Sequence, residues 1–453
     1  MQQAISYKDN DGFVVMKEGT VFRYVNHSYA DEYDQLIGSG LYQHLVEQGL
    51  LVAHQEDDEA VVRNGHPFYK VLVPEFIDPV SYPFEWTAGQ WQEVLVCFLR
   101  INLIAIEYGM ILKDATPFNF TFHRGRCIFF DTLSFTRYKD GDVWTAYRQF
   151  CETMFGPYSL IRYRDISWAR MMQANINGWP LAFISGSLPF RSKFNLPVLL
   201  HIHWHAKFNN QSAGTVKTRD FSKEKLSLLW KMLLRWAEKK TVVSGEGEWT
   251  RYYETGILSE AYLSSKIAIV RQWLDDTEPG TVIDLGANNG RFSLLAASKA
   301  EKVIAVEADA DCVELLRWYL RQNNITNIET IVSDLTQPAP GLGWANAERL
   351  PLLKRLKGDM VMALALIHHL CISANIPLAF VARMLADMTE RYVLIEFVPQ
   401  TDPKVVAMLS NRENIFSSYT EEHFIECFER YFTKRNEANC AASGRKLFLW
   451  ERR

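Results

Sequence analysis

The sequence has no excess of positive charge. Its 49 Lys and Arg side chains stand against 53 Asp and Glu, a net charge of −4. Nothing in that balance grips polyphosphate irrespective of base sequence, so bulk nucleic-acid binding is not expected. Cys-x-x-Cys pairs are missing. The seven cysteines (Cys97, Cys127, Cys151, Cys312, Cys371, Cys427, Cys440) are scattered and odd in number, which reads as reduced thiols in a cytoplasmic protein and not as a disulfide framework or zinc site. No long apolar run is uninterrupted either. The most apolar stretch, residues 94–112, is broken by Arg100, Asn102 and Glu107, so no membrane span is expected. The opening MQQAISYKD lacks the basic-then-apolar pattern of a secretory signal. The 453 residues are 48% hydrophobic and 13% aromatic, a globular composition long enough for two domains.

The back half alternates short apolar runs with amphipathic segments. Residues 281–285 (TVIDL), 302–307 (KVIAVE), 328–333 (IETIVS), 359–365 (DMVMALA) and 392–397 (YVLIEF) read as strands buried on both faces. Helical patterns fall at 292–299, 311–322, 377–388 (with a proline at the first turn) and 421–431. Residues 446–450 (KLFLW) are expected to close the sheet as an edge strand. Alternation of this kind predicts a parallel, doubly wound α/β sheet whose ligand sits at the carboxyl ends of the strands. Residues 249–274 read as helices leading into the first strand. Their tyrosines and Trp249 suit a lid or ordinary helix-to-sheet packing equally.

Chemistry concentrates in VIDLGANNGRFS. Asp284 falls at a strand end, Gly286 and Gly290 in the turn, and a helix follows. The first glycine permits a sharp turn and close backbone approach to a ligand; the second lets the helix pack beside the strand. Asn288 and Arg291 stand where a dinucleotide loop needs its later glycines, so a pyrophosphate cradle is not read. Glu307, ending the second strand, suits a ribose diol through both carboxylate oxygens, and Asp334, after the third, suits an adenine edge.

Together Asp284-Leu285-Gly286-x-x-x-Gly290, Glu307 and Ser333-Asp334-Leu335 resemble a class I S-adenosylmethionine-dependent methyltransferase over residues 249–453. The resemblance implies a Rossmann-like sheet and S-adenosyl-L-methionine as cofactor. Its amino-acid part would lie near Gly286, Ala287 and Asn288, its ribose at Glu307 and Ala308, and its adenine at Asp334 and Leu335. Residues 363–369 (ALALIHH), with Leu364, would form the wall beside the transferred methyl. Candidate proton acceptors are His368 and His369 after the fourth strand and Glu396 near the end of the fifth; capping or core roles are open for each. The fourth strand lacks the Asn-Pro-Pro-Tyr type of signature, which disfavours nucleobases and glutamine amides as acceptors. The segment 336–355, a Pro/Gly-rich loop followed by a charged helix, places Trp344, Glu348 and Arg349 over the adenine side or substrate entrance, or simply in solvent.

The front half is less regular. A helix is expected at 34–51, a strand at 69–76 and a long helix at 87–108. After it, Asp114, Asn119 and Asp131, the last ending the run Ile128-Phe129-Phe130, reproduce the D-x-x-x-x-N…D spacing of kinase-like phosphotransferases. The resemblance implies an α+β kinase-like fold in which the first aspartate orients an acceptor hydroxyl and the other two residues hold magnesium. Departures are plain: Leu112-Lys113 replaces His-Arg, no glycine follows Thr132, and no Gly-rich loop precedes residues 20–25. Lys17, Arg23 and Lys70 remain as candidate phosphate ligands. A degenerate accessory or substrate lobe is therefore favoured over an active kinase, and Mg-ATP is not favoured as a cofactor. His201, His203 and His205 would align on a strand as a metal set or diverge on a helix; no metal is assigned.

The expected organisation is a kinase-like accessory domain over 1–240 and a methyltransferase domain with lid helices over 241–453. The layout, with LALIHHL (364–370), IEFVP (395–399) and IFSSY (415–419), resembles nodulation-protein methyltransferases of the NoeA type. The expected activity is methyl transfer to oxygen or nitrogen of a small-molecule or glycan-related acceptor. A bifunctional kinase–methyltransferase and a non-catalytic cofactor-binding regulator are the alternatives.

Overall fold

The computed structural model describes residues 3–6, 9–57, 62–63, 66–208, 222–239, 259–410 and 416–453. The chain divides into two compact units, Met1–Val243 with Gly341–Leu350, and Ser244–Pro340 with Pro351–Arg453. Among the described residues no helix is long and apolar enough to cross a membrane. Of the residues considered for a lid, Trp249, Tyr252 and Tyr253 lie outside the described residues, and Tyr262 is buried with its hydroxyl on Glu396.

In the second unit one sheet of seven strands organises everything. Its strands are β1 (Thr281–Leu285), β2 (Lys302–Glu307), β3 (Ile328–Val332), β4 (Gly358–Ala363), β5 (Thr389–Phe397), β6 (Phe432–Asn439) and β7 (Lys446–Arg452). Their spatial order is β3-β2-β1-β4-β5-β7-β6. The first five pair in parallel, with Asp284 beside Ala305 and Met362; β7 pairs antiparallel with both β5 and β6. The parallel strands are buried almost end to end, as continuous Val/Ile runs require. Order reverses between β1 and β4, which opens a crevice at their carboxyl ends.

Two expectations change. Residues 446–450 are not the sheet edge: β7 is interior, and the edge is Phe432–Asn439. That strand reads FTKRNEAN and is exposed along most of its length, so it lacks an apolar pattern; its charges protect a free edge from further pairing. Pro377 is the residue before the helix Leu378–Met388, not part of its first turn.

The first unit opens with a five-stranded antiparallel sheet, in order Gln3–Ser6, Gly12–Lys17, Thr20–Val25, Lys70–Pro74, His54–Glu56. The single helix expected at 34–51 is two, Ala30–Gly38 and Leu41–Glu47. Gly40 separates them at φ +84°, a left-handed conformation that ends a helix cheaply only at glycine. The long helix runs Ala88–Ala105, started by a reciprocal cap between Thr87 and Gln90. Two short antiparallel pairs follow, Phe120–His123 with Arg126–Phe129 and Met110–Leu112 with Phe135–Arg137.

Candidate active site

The crevice at the carboxyl ends of β1–β4 has a volume of about 380 Å³, within the range of about 300–1,000 Å³ that takes a small molecule. Gly286, Asn288, Glu307, Ala308, Asp334, Leu335, Leu364 and His369 all line it. The turn that brings them together is set by local chemistry. Gly286 and Gly290 take φ +73° and +82°. A Cβ on Gly290 would meet Leu316 Cδ1 at 2.3 Å, so this position packs against the helix Ala310–Gln322. Asn288 and Ala365 also hold left-handed backbone, at φ +51° and +52°. Asparagine tolerates this region, whereas alanine takes it against its intrinsic preference.

Glu307 staples the turn. Its Oε2 accepts the Asn288 backbone N–H at 2.8 Å, and its Oε1 accepts those of Ala308 and Asp309 at 2.6 and 2.9 Å. A carboxylate offers about four acceptor positions, so three are filled and Oε2 retains room for a hydroxyl. Burial pushes the Glu307 pKa up, against the pull of these amides. Asp334 Oδ1 accepts both the backbone N–H and the hydroxyl of Thr336, at 2.8 and 2.7 Å. Among the described residues lining the crevice are two carboxylates and no Lys or Arg. Such a lining suits a cationic ligand without phosphates.

Not every expected residue reaches the crevice wall. Asp284 is buried and accepts the Ser293 hydroxyl at 2.6 Å; burial pushes its carboxyl up to about 6. Ala287 and Gly290 shape the turn behind the wall. His368 is fully buried with both ring nitrogens unpaired, and burial drives it down to about 2. Its neighbour His369, ring centroids 4.1 Å apart, does face the crevice, and burial lowers it to about 4. Both imidazoles are therefore neutral at pH 7.

Glu396 is fully buried and held by Lys266 Nζ at 2.6 Å and the Tyr262 hydroxyl at 2.5 Å. Arg445 extends the network, donating to Asp402 at 2.7 and 3.1 Å and to the Tyr262 hydroxyl at 3.2 Å. Glu396 thus has its charge and hydrogen bonds satisfied internally and does not line the crevice. Sequence reading missed this network because Lys266 and Tyr262 lie 130 and 134 residues from Glu396. Lys266 beside the apolar run 267–270, with an acid at a strand end, was the one available signal.

No family model matches the chain. It is similar along 99% of its length, and 95% of the relative's, to Nodulation protein NoeA of Rhizobium meliloti (strain 1021), at 29% identity over 461 residues. A shorter stretch of 78 residues, 17% of this chain and 29% of the other, is 36% identical to a probable ribosomal RNA small subunit methyltransferase A of Methanosphaera stadtmanae. Among solved structures, N-methyltransferase NodS from Bradyrhizobium japonicum WM9 in complex with S-adenosyl-L-homocysteine is similar at 9% identity and TM-score 0.33, over 46% of this chain and 99% of that one. The strand order, with its crevice at the β1/β4 reversal and an antiparallel β7 inserted beside β5, is the Rossmann-like sheet expected for the back half of the chain.

Outside the crevice-bearing unit, the first unit assembles the other constellation read from the sequence. Asn119 Nδ2 donates to Asp131 Oδ2 at 3.1 Å, and the Ser134 hydroxyl donates to the same oxygen at 2.6 Å. Arg23 pairs with Asp131 Oδ1 and donates to the Phe130 carbonyl at 3.2 Å. Burial pushes Asp131 up, but Arg23 and Ser134 outweigh it and hold the carboxyl below its usual range. Both oxygens are engaged by protein donors. Burial, then the charge of Asp131, raises the Asp114 pKa. Lys70 pairs with Glu56. Among the described residues no group of three or more His, Cys, Asp or Glu is arranged to hold a metal.

The three histidines lie on a helical segment; His201 and His205 both face Tyr147, whereas His203 turns to two serines. His201 meets the Tyr147 hydroxyl at 2.7 Å, His203 bridges Ser185 and Ser192, and His205 stacks on Tyr147. Segment Gly341–Leu350, which carries Trp344, Glu348 and Arg349, groups with the first unit, where Arg349 stacks over Phe118. None of the three lines the crevice.

Proposed function

We propose that the chain transfers the methyl group of S-adenosyl-L-methionine to a hydroxyl or amine of a small-molecule or glycan-related acceptor. The observation that carries this reading is the crevice itself. Its acidic, phosphate-incompatible lining, the free acceptor position on Glu307 Oε2 and the glycine turn fit an adenosyl sulfonium. Gly286 and Asn288 would approach the amino-acid part, Glu307 the ribose, and Asp334 and Leu335 the adenine. Bound there, the cofactor supplies an electrophilic methyl carbon.

The protein's own work is alignment and exclusion of water. Leu364, Leu366 and Leu370 wall the crevice with apolar surface. His369, neutral at pH 7, accepts the hydrogen of an acceptor hydroxyl and orients its lone pair. With so low a pKa it is a weak base, so its role is orientation more than full proton removal. Glu396 and Lys266 position the end of β5 through the buried network instead of touching the acceptor. The domain limits, 1–240 and 241–453, belong to this proposal. So does a degenerate role for the first unit, since both Asp131 oxygens are engaged within the protein.

The test is incubation of the full chain and methyl-labelled cofactor with small-molecule and glycan fractions of a bacterial extract. Release of S-adenosyl-L-homocysteine with label in one fraction supports the reading. Tight cofactor binding with no turnover on any fraction would favour a regulator.

A further inference from the structure

Among the described residues, the first unit displays large apolar side chains on its surface. On the turn Phe190–Phe194, Phe190 is 70% and Phe194 80% exposed, and Leu196 and Leu228 beside them are 58% and 68% exposed. They form one surface. The two phenyl rings lie 5.6 Å apart, and Phe194, Leu196 and Leu228 line a single groove of about 420 Å³ against the helix Lys223–Ala237. Single exposed apolar residues are ordinary, whereas a contiguous patch marks an interaction surface.

The turn is firmly held from beneath. Ser192, fully buried between the two phenylalanines, bonds His203 Nε2 at 2.8 Å and the Pro189 carbonyl at 2.7 Å, and His203 Nδ1 bonds Ser185 at 2.8 Å. One imidazole thus clamps two serines, and the phenylalanines on either side of Ser192 point outward.

The charge around the patch is one-sided. Lys231, Arg235 and Lys239 line the groove, Arg191 and Lys193 stand on the turn, and among the described lining residues there is no Asp or Glu. A chain of net charge −4 therefore carries a local cluster of five cations. We propose that this face docks the protein on the surface of an anionic phospholipid bilayer, with Phe190 and Phe194 entering the acyl boundary and the cations meeting lipid headgroups. Apolar burial and electrostatic attraction add in such interfacial binding. A second copy of the chain is disfavoured as occupant, because a two-fold contact would set five cations against five. Single-stranded nucleic acid is disfavoured by the aliphatic share of the patch, since Leu196 and Leu228 offer no stacking face.

The test is flotation of the full chain with vesicles of phosphatidylcholine alone or with about 30% phosphatidylglycerol. At low salt the bound fraction should rise at least about tenfold with the anionic lipid and fall as ionic strength rises. Both Phe190→Glu/Phe194→Glu and Lys231→Glu/Arg235→Glu should abolish the gain while leaving cofactor binding unchanged, which confirms folding. Equal flotation on both vesicles, or binding untouched by either pair, overturns the proposal. So does a wild-type dimer in sedimentation velocity that the phenylalanine pair dissolves, or RNA-oligomer binding that survives in place of lipid binding.

Discussion

The Glu307 carboxylate accepts the backbone N–H of Asn288 at 2.8 Å, so the end of β2 fixes the turn that follows β1. One acid both shapes the crevice and keeps an oxygen free for a ligand hydroxyl. Replacing it by alanine removes both roles. Glu307→Ala should weaken S-adenosylmethionine binding by about 10-fold to 100-fold, the worth of about one or two charge-assisted hydrogen bonds, read by calorimetry. Glu307→Gln, which keeps one acceptor oxygen, should lose less.

Gly286→Val tests the other wall of the same turn. At φ +73° a β-branched residue is strained, and even a Cβ would sit 3.3 Å from Leu366 Cδ1. Cofactor binding should drop below detection while the melting temperature falls only a few degrees, because the side chain is added at the crevice and not in the core.

The buried ion pair gives a stability prediction. Lys266 and Glu396 are almost wholly inaccessible and 2.6 Å apart. Lys266→Met removes the nearer of the two cations beside Glu396, leaving Arg445 Nη1 at 3.9 Å, and should cost about 3 kcal/mol, the low end for a broken buried pair. Lys266→Met with Glu396→Leu should recover much of that loss in urea melts. A single variant as stable as the wild type would deny the pair its positioning role.

Asp284 supplies a pH dependence. Burial raises its folded pKa to about 6 from an ordinary 3.8. A carboxyl raised on folding binds its proton more tightly in the folded state, so its ionisation erodes stability as pH climbs from about 4 to 6. The shift of about two units corresponds to about 3 kcal/mol. Asp284→Asn, which still accepts from Ser293, should flatten the stability profile across that window and be the more stable protein at pH 7. Equal slopes for the two proteins would refute the assignment.

Much of the seven-stranded sheet was readable from sequence because buried parallel strands are unbroken Val/Ile runs; residues 281–285 and 302–307 match to the residue. The edge Phe432–Asn439 was not, since an exposed strand of charged residues carries no apolar period. Crevice residues that follow strand ends, such as Glu307 and Asp334, were legible through spacing. Asp284 and Glu396 share that spacing but turn into the core, because the partners that draw them there, Ser293 on the next helix and Lys266 on the preceding one, are set by packing. Likewise Arg23 is far in sequence from Asp131, and only the folded sheet brings it there.

The most direct measurement is equilibrium binding of labelled S-adenosyl-L-methionine to the full chain. A single saturable site, competed by S-adenosyl-L-homocysteine but not by a nicotinamide dinucleotide, and lost in both Gly286→Val and Glu307→Ala, is the expected result. No saturable binding, or binding that persists undiminished in both variants, would contradict the assignment of the crevice.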